Sequence, residues 1–209
     1  MIRKDRGTRR QQIVKATIQI ITKHGLKELT SKRIAKAVGI SDAAIYRHFP
    51  NKEAILMEVL QLFSDRVATI HKTILTADEP VFRKLELLFQ EKSRRLVEHP
   101  EQTLLMRSAM VFRGHPSLRR SAVEMLDAYK ADVISVLRQG QASGVIDPRI
   151  DPEHLYHCII GGLYFLTERW ETSQRSFDLP EATAKLWNSI QHMLSNKNTE
   201  KNLPDGGPS

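Results

Sequence analysis

The residues best able to bind a charged partner lie at the start of the chain. Residues 1–52 contain 13 of the 32 Lys and Arg residues but only three of the 24 acidic residues, a net charge of +10. The other 19 basic and 21 acidic residues give the rest of the chain a net charge of −2. A basic segment joined to a nearly neutral remainder is typical of a module that binds a polyanion. Charge alone leaves DNA, RNA and an anionic membrane surface as partners, with a solvated basic surface as the alternative.

Residue patterns that would indicate an enzyme are missing from the sequence. It contains neither G-x-S-x-G nor H-E-x-x-H nor a glycine-rich phosphate loop, so we predict no catalytic site and no cofactor. His154 and Cys158 lie one helical turn apart, a spacing that can hold a metal ion. Because no further acidic or sulfur-containing cluster completes such a site, helix packing is favoured and no metal site is predicted.

Cysteine content and hydropathy bear on the setting of the protein. Cys158 is the only cysteine, which excludes an internal disulfide and favours a reducing, cytoplasmic environment. No apolar run is long enough to span a membrane, and the first ten residues lack the apolar segment of a secretory signal. We therefore expect a cytoplasmic protein without a membrane partner.

Helical periodicity dominates the chain and predicts an all-α fold with about nine helices. The pattern indicates three domains: a DNA-binding helix-turn-helix domain over residues 1–52, a helical ligand-binding and dimerisation domain over 53–195, and a disordered tail over 196–209. The predicted helices cover residues 8–24, 31–38, 42–48, 52–75, 81–98, 101–112, 117–142, 153–172 and 181–195.

Two of the short predicted helices form a helix-turn-helix. They are separated by Gly39-Ile40-Ser41, where Gly39 suits a tight turn and Ser41 can cap the second helix. Small residues at Ala43 and Ala44 let that helix approach a groove, so its N-terminal residues can contact base edges in the major groove. The fold and the charge together favour duplex DNA as the partner.

The segment from Leu29 to Glu53 resembles the DNA-binding signature of TetR-type transcriptional regulators. It contains I-A-x-x-x-G-I-S followed by I-Y-x-H-F-x-x-K-E. The resemblance implies a homodimeric repressor that is released from a quasi-palindromic operator when a small-molecule effector binds the helical body. It also implies which residues contact DNA, namely Thr30, Ser31, Lys32, Asp42, Ala43, Ala44, Tyr46, Arg47, His48 and Lys52. Asp42 departs from the usual pattern, and we expect it either to act as an N-terminal helix charge or to accept a hydrogen bond from cytosine N4.

The same resemblance is the reason to expect an effector pocket rather than plain core in the body. An apolar or amphipathic effector would contact soft and aromatic side chains, for which we select Phe63, Phe89, Met106, Met110, Phe112, Met125 and Tyr129. The resemblance also implies that the last two helices pair across a dimer. Gly161 and Gly162 would allow close helix approach, within the chain or between chains, and the predicted interface comprises Cys158, Gly161, Gly162, Phe165, Trp187, Ile190 and Leu194.

A second function fits the same DNA-binding segment. Residues 41–52 also resemble nucleoid-occlusion factors of the same superfamily, which contact a cell-division protein. In that case the protein is a DNA-bound adaptor whose body binds a protein partner. A closed apolar pocket would favour the effector-responsive repressor, and a filled body with an exposed patch would favour the adaptor.

Overall fold

The computed structural model describes residues 6–99 and 115–195, and its regular elements are helices. An isolated antiparallel bridge between Ile146 and Ser195 is the only strand-like pairing in these ranges. The all-α prediction is confirmed, while the predicted helix over 101–112 and the predicted tail over 196–209 lie outside the described residues. The helices are α1 (Arg6–His24), a 3-10 turn (Leu26–Glu28), α2 (Ser31–Val38), α3 (Asp42–Ile45), α4 (Lys52–Thr76), α5 (Val81–Glu98), α6 (Pro116–Ala142), α7 (Pro152–Thr172) and α8 (Leu179–Leu194).

Local capping fixes most of these boundaries. The Thr30 hydroxyl accepts a hydrogen bond from the Arg33 amide at 3.2 Å, and the Ser41 hydroxyl accepts one from the Ala44 amide at 3.2 Å. Such side chains satisfy amides that the first turn of a helix leaves without a partner. Asp151 and Asp178 cap α7 and α8 in the same way, which explains why both helices begin close to their predicted starts.

The third helix is shorter than predicted. We expected a helix over residues 42–48, but α3 ends at Ile45 and residues 46–48 form turns. The amides of His48 and Phe49 both donate to the Ile45 carbonyl, at 2.9 and 3.0 Å. The chain therefore closes in a tight turn at the point where the sequence pattern alone indicates another helical turn.

The chain divides into two compact units. Unit 1 comprises the residues up to Thr69 and those from His99 to Leu126. Its core joins α1 to α4 through the fully buried side chains of Ile13, Ile34, Ile45 and Phe49, with Leu118 of α6 completing it.

Unit 2 comprises residues from Ile70 to Glu98 and from Asp127 onwards. Phe89 and Trp187 pack in its core with ring centroids 5.7 Å apart. Gly140 lies so close to Val81 and Ile146 that a Cβ there would be 2.6 Å from Ile146 Cδ1. The boundaries of the two units reflect which residues pack together and not which residues share a function. The predicted domains at 1–52, 53–195 and 196–209 therefore stay predictions. In the described part of the chain, no helix is long and apolar enough to cross a membrane.

Candidate nucleic-acid interface and the interior of unit 2

The turn between α2 and α3 exposes one side of α3. Gly39 ends α2 in the left-handed conformation with φ 71°, which favours glycine because it has no Cβ. The Ile40 amide then donates a hydrogen bond to the Ala35 carbonyl at 3.0 Å. Because Ile34 and Ile45 are buried, the opposite side of α3 faces away from the core of unit 1.

Residues predicted to contact DNA lie at the surface of unit 1. Six of them are exposed: Thr30, Lys32, Ala43, Tyr46, Arg47 and Lys52. The other four are partly buried: Ser31, Asp42, Ala44 and His48. The surface therefore offers hydroxyl, phenol, ammonium and guanidinium donors, which are suitable partners for phosphate oxygens.

The surroundings of two of these residues, Lys52 and Asp42, bear on their expected roles. The Lys52 ammonium lies 3.5 Å from the Leu29 carbonyl, so it links the start of α4 to the residue before the Thr30 cap. Asp42 is the first residue of α3, and its Oδ1 is buried with no hydrogen-bond partner among the described residues. Both expectations for Asp42, the helix charge and the cytosine contact, remain predictions.

Arg10 of α1 holds this surface in place, and sequence reasoning counted it only as a positive charge. Its Nη1 donates to the His48 carbonyl at 2.6 Å, and its Nη2 forms an ion pair with Glu58 of α4. Its guanidinium also lies 4.2 Å from the centroid of the Phe49 ring. Arg10 thus connects α1 to the turn after α3 and also to α4. Nothing in the neighbouring sequence distinguishes it from Arg9.

Inside unit 2, polar and charged side chains from three helices meet in what we call the basic cluster: His71, Lys92, Arg95, Tyr129 and Asp132. His71 Nδ1 lies 2.8 Å from Asp132 Oδ2, and the His71 and Tyr129 rings have centroids 4.9 Å apart. The Lys92 ammonium lies 4.1 Å from the centroid of the Tyr129 ring. His71 and Arg95 are only 4% and 8% exposed, so the charge lies in the interior.

Burial shifts the protonation equilibria of the cluster. Burial, with Arg95 nearby, lowers the pKa of Lys92 to about 8. Burial also lowers the pKa of His71, outweighing the opposite effect of its contact with Asp132. The pKa of Tyr129 is raised, chiefly by burial, so its hydroxyl stays protonated and available as a donor.

The four described residues of the predicted pocket divide between the cores of the two units. Phe63 and Met125 belong to the core of unit 1, whereas Phe89 and Tyr129 belong to that of unit 2. Met106, Met110 and Phe112 lie outside the described residues. The effector pocket stays a prediction, because soft and aromatic side chains at helical spacing form ordinary core as well as pockets.

Unit 2 has an open groove of about 520 Å³ on another face. Its walls include Ile70 and Ile74 of α4, Gln90 and Arg94 of α5, and Ala184 of α8. Gln90 and Arg94 are each two residues from Lys92, about 200° around the helix, so this groove and the basic cluster lie on opposite faces of α5. None of the predicted pocket residues lines it.

The predicted dimer residues divide into exposed and buried sets. Cys158, Gly161 and Phe165 lie on the outer face of α7, and Phe165 is 68% exposed. Trp187, Ile190 and Leu194 are at most 7% exposed and pack in the core of unit 2. Apolar periodicity shows that a helix face is covered but does not show what covers it, so the interface stays a prediction.

The two glycines of α7 also have different surroundings. A Cβ at Gly162 would lie 3.5 Å from Leu186 of the same chain, whereas one at Gly161 would meet nothing within 4 Å. Gly162 thus faces α8 of its own unit, and Gly161 is the outward-facing glycine. His154 and Cys158 are exposed, and no group of three metal-ligating side chains occurs among the described residues.

Two protein families match this chain. The family described as "Bacterial regulatory proteins, tetR family" matches residues 13–59, which include the whole of α2 and α3. The family described as "Tetracyclin repressor-like, C-terminal domain" matches residues 82–195. The two matches cover helices of both units.

Relatives of known function are regulators rather than enzymes. The "Fatty acid metabolism regulator protein" of Bacillus subtilis is 26% identical over 195 residues, covering 91% of this chain and 96% of that protein. The "Nucleoid occlusion factor SlmA" of Serratia proteamaculans is 25% identical over 137 residues, covering 65% of this chain and 69% of that protein.

Solved structures have the same fold. The fatty acid degradation regulator FadR from Bacillus halodurans aligns with a TM-score of 0.75 at 26% identity, covering 90% of this chain and 97% of that one. FadR from Bacillus subtilis, solved in complex with stearoyl-CoA, aligns with a TM-score of 0.70 at 24% identity, covering 89% of this chain and 97% of that one.

Proposed function

The chain belongs to the TetR family of bacterial regulatory proteins, a family of ligand-responsive DNA-binding regulators, and from this premise we propose its specific partners. We infer that it acts as a homodimeric repressor on a quasi-palindromic operator. Binding of a long-chain acyl compound in unit 2 releases it from that operator. The observation that carries the proposal is the capped helix-turn-helix with its exposed donors on the basic segment.

The DNA contacts divide by chemistry into those that position the protein and those that read sequence. Tyr46 and Lys52 offer a phenol and an ammonium, which suit phosphate oxygens and carry no sequence information. Arg47 is exposed just beyond α3, where a guanidinium can bind the O6 and N7 atoms of guanine. The other donors, Thr30, Ser31, Lys32 and His48, and the small residues Ala43 and Ala44, lie beside them on the same elements.

The homodimer is proposed from the outer face of unit 2. Tyr164, Phe165 and Met193 are 41%, 68% and 72% exposed, which is unusual for large apolar side chains on neighbouring helices. Gly161 on the same side of α7 leaves room for a close helix contact. A second copy would cover this surface and hold two recognition helices at a fixed separation, as a two-fold operator requires.

The acyl effector is proposed from the relatives together with the interior of unit 2. The relative that covers nearly the whole chain is named for fatty acid metabolism, and a neighbour with the same fold was solved with stearoyl-CoA. The adaptor alternative rests on relatives that cover a smaller share of the chain. The buried, incompletely paired polar groups of unit 2 favour a small molecule over a protein partner.

The test combines a genome-wide binding map with titrations of the purified dimer. A few promoter-proximal sites, and loss of operator binding on addition of palmitoyl-CoA or palmitate, would support the proposal. Many dispersed sites without a response to acyl compounds would support the adaptor instead.

The contribution of phosphate contacts is tested by salt. If each subunit neutralises about four to six phosphates, the log–log slope of affinity against salt should be roughly −7 to −11 for the dimer. Tyr46→Phe should weaken binding to all sequences equally, whereas Arg47→Ala should relax preference at one base pair per half-site by about 1–3 kcal/mol. A flat salt response would contradict the DNA-binding role.

A further inference from the structure

We propose that the open groove of unit 2 binds the alkyl chain of an acyl effector and selects the ligand by chain length rather than by charge. The occupant is a straight alkyl chain whose polar head group extends into water. This inference rests on the proposed function, because it names the part of the effector that unit 2 would recognise and the place where that part would bind.

Three helices of unit 2 each turn one face toward the groove. Ile70 and Ile74 lie one turn apart on α4. Pro180 and Ala184 lie one turn apart on α8. Side chains three or four residues apart share a helix face, so each pair forms a stripe along its helix. Regular helix faces therefore bound the groove, and the wall from α5 consists of Leu87, Gln90, Glu91, Ser93 and Arg94.

The aliphatic side chains of this wall keep surface that a ligand can cover. Ile70, Ile74 and Leu87 are partly buried, whereas Phe89 in the core of the same unit is 1% exposed. The groove has a volume of about 520 Å³, which lies within the range of roughly 300–1,000 Å³ that is typical of ligand sites. Because covering apolar surface is favourable, an alkyl chain in the groove would be stabilised by contacts that the described chain itself does not make.

The polar side chains of the wall are already paired within α5. Arg94 donates to Glu91 and to Glu98, each at 2.6 Å. Gln90 donates through Nε2 to Glu86 at 2.8 Å. Arg94 is the only cation among the described wall residues, and two carboxylates already balance its charge. The described wall therefore offers no free cation to an acidic group, and its charge complements an uncharged ligand.

The head group of an acyl compound gains nothing at this wall. A carboxylate placed beside Glu91 and Glu98 would be repelled by like charge, so the acidic end of the ligand is expected to face water. The alkyl chain then supplies the binding free energy, which grows with each methylene group that the groove covers. Chains of equal length should therefore bind alike whether or not they carry an acid group.

The experiment follows the full-length protein by NMR, with labelled isoleucine methyl groups, during titration with octanol, decanol, dodecanol and dodecanoate. Ile70 and Ile74 report from the groove, and Ile159 and Ile190 report from the core of unit 2. Substitution of each groove isoleucine by valine assigns its resonance. Isothermal titration gives the affinity of each ligand.

The variants change the groove without changing its charge. Ala184→Phe places a ring in the groove, and Ile74→Ala is a second variant that removes part of the wall. Ala131→Phe is the matched control, because Ala131 is an exposed alanine on α6 of the same unit. Thermal unfolding of each variant shows whether it is folded.

We expect the Ile70 and Ile74 resonances to shift and the affinity to rise about two- to fourfold with each added methylene group. Ala184→Phe should lose at least about tenfold in affinity, because its ring displaces about two to three methylene groups of the ligand. Ile74→Ala should lose several-fold, and Ala131→Phe should match the wild type. Dodecanol and dodecanoate should agree within about tenfold, since a hydrogen bond to a charged group would add more than that.

Three results would overturn the inference. One is a shift of the Ile159 and Ile190 resonances without a shift at Ile70 and Ile74. The second is an affinity that does not depend on chain length, or that Ala184→Phe leaves unchanged. The third is an affinity for dodecanoate more than about tenfold above that for dodecanol, because the acid group would then be recognised.

Operator binding distinguishes the outcomes for this inference from those for the proposed function. If acyl compounds release wild type and Ala184→Phe alike from the operator, the proposed function stands and the groove is not the effector site. If the groove binds alkyl chains but the operator is not released, the site stands and the release mechanism fails. A wild-type protein that binds none of the probes, and stays on its operator in the presence of acyl compounds, would contradict both.

Discussion

Replacing Arg10 by methionine should destabilise the DNA-binding surface more than the loss of one charge would. Arg10 donates to the His48 carbonyl at 2.6 Å, and a hydrogen bond from a charged donor contributes about 1.5–3 kcal/mol. The ion pair with Glu58 is worth at most about 1 kcal/mol, because the side chains are 41% and 35% exposed. The contact with Phe49 adds about 0.5–1 kcal/mol.

These contributions share one guanidinium and do not simply add. We therefore expect Arg10→Met to lower the free energy of unfolding by about 2–3 kcal/mol, measured by urea denaturation followed by circular dichroism. Arg10→Lys should be intermediate, because lysine keeps the charge but not the planar group that stacks and donates in two directions. Lys15→Met is the matched control, since Lys15 is exposed on the same helix.

The same variants separate positioning from charge in DNA binding. Arg10 contacts the His48 carbonyl and the Phe49 ring and so positions the turn after α3. Arg10→Met should therefore weaken binding to operator and non-operator DNA alike, and by more than Lys15→Met does. An Arg10→Met protein within about 0.5 kcal/mol of wild type in stability, with the affinity of the Lys15 control, would refute this reasoning.

Three further predictions concern unit 2. Lys92→Met should raise the midpoint of thermal unfolding at pH 7, because the pKa of Lys92 falls from 10.5 to about 8 on folding. The charged Lys92 therefore lowers the free energy of unfolding of the wild type by its full amount below pH 8. This loss of stability should disappear above pH 10.5, where Lys92 is neutral in both states. Gly140→Ala should lower stability by about 1–3 kcal/mol in denaturant titrations, because its Cβ would lie 2.6 Å from Ile146 Cδ1, while the control Gly162→Ala should stabilise by up to about 1 kcal/mol. Phe165→Glu should give a folded monomer with weaker operator binding in sedimentation and titration experiments, and a variant that stays dimeric would move the interface away from the outer face of α7.

Sequence reasoning placed the helices well because their ends are set by local chemistry. Thr30, Gly39 and Ser41 each act within three or four residues of their own position, so their effect can be recognised without knowledge of the fold. The 3-10 turn at Leu26–Glu28 and the early end of α3 were missed for the complementary reason. Both depend on how the connecting chain meets the core of unit 1, which periodicity does not show.

Side chains that act across the fold were harder to find. Arg10 lies 38 residues from the carbonyl it binds and 48 from the carboxylate it pairs with, and nothing local distinguishes it from its neighbours. The exposed face of α3 was predictable because an amphipathic helix has one side that must face outward. The sequence does not show which apolar side chains cover one another, as the burial of Trp187 illustrates.

The basic cluster did leave a signal in the sequence, although a search among aromatic and methionine residues overlooks it. Lys92 lies three residues after Phe89 and four before Leu96, a position of the apolar stripe of α5 where a charged residue is unexpected. Large apolar residues are poor markers of a ligand site, because core and pocket use the same side chains. A cation in an apolar stripe is a better marker, since the fold must pair it, neutralise it or reserve it for a partner. Unit 1 carries its basic residues at the surface, where a polyanion can reach them, whereas Lys92 of unit 2 lies against the ring of the buried Tyr129 and has its pKa lowered to about 8.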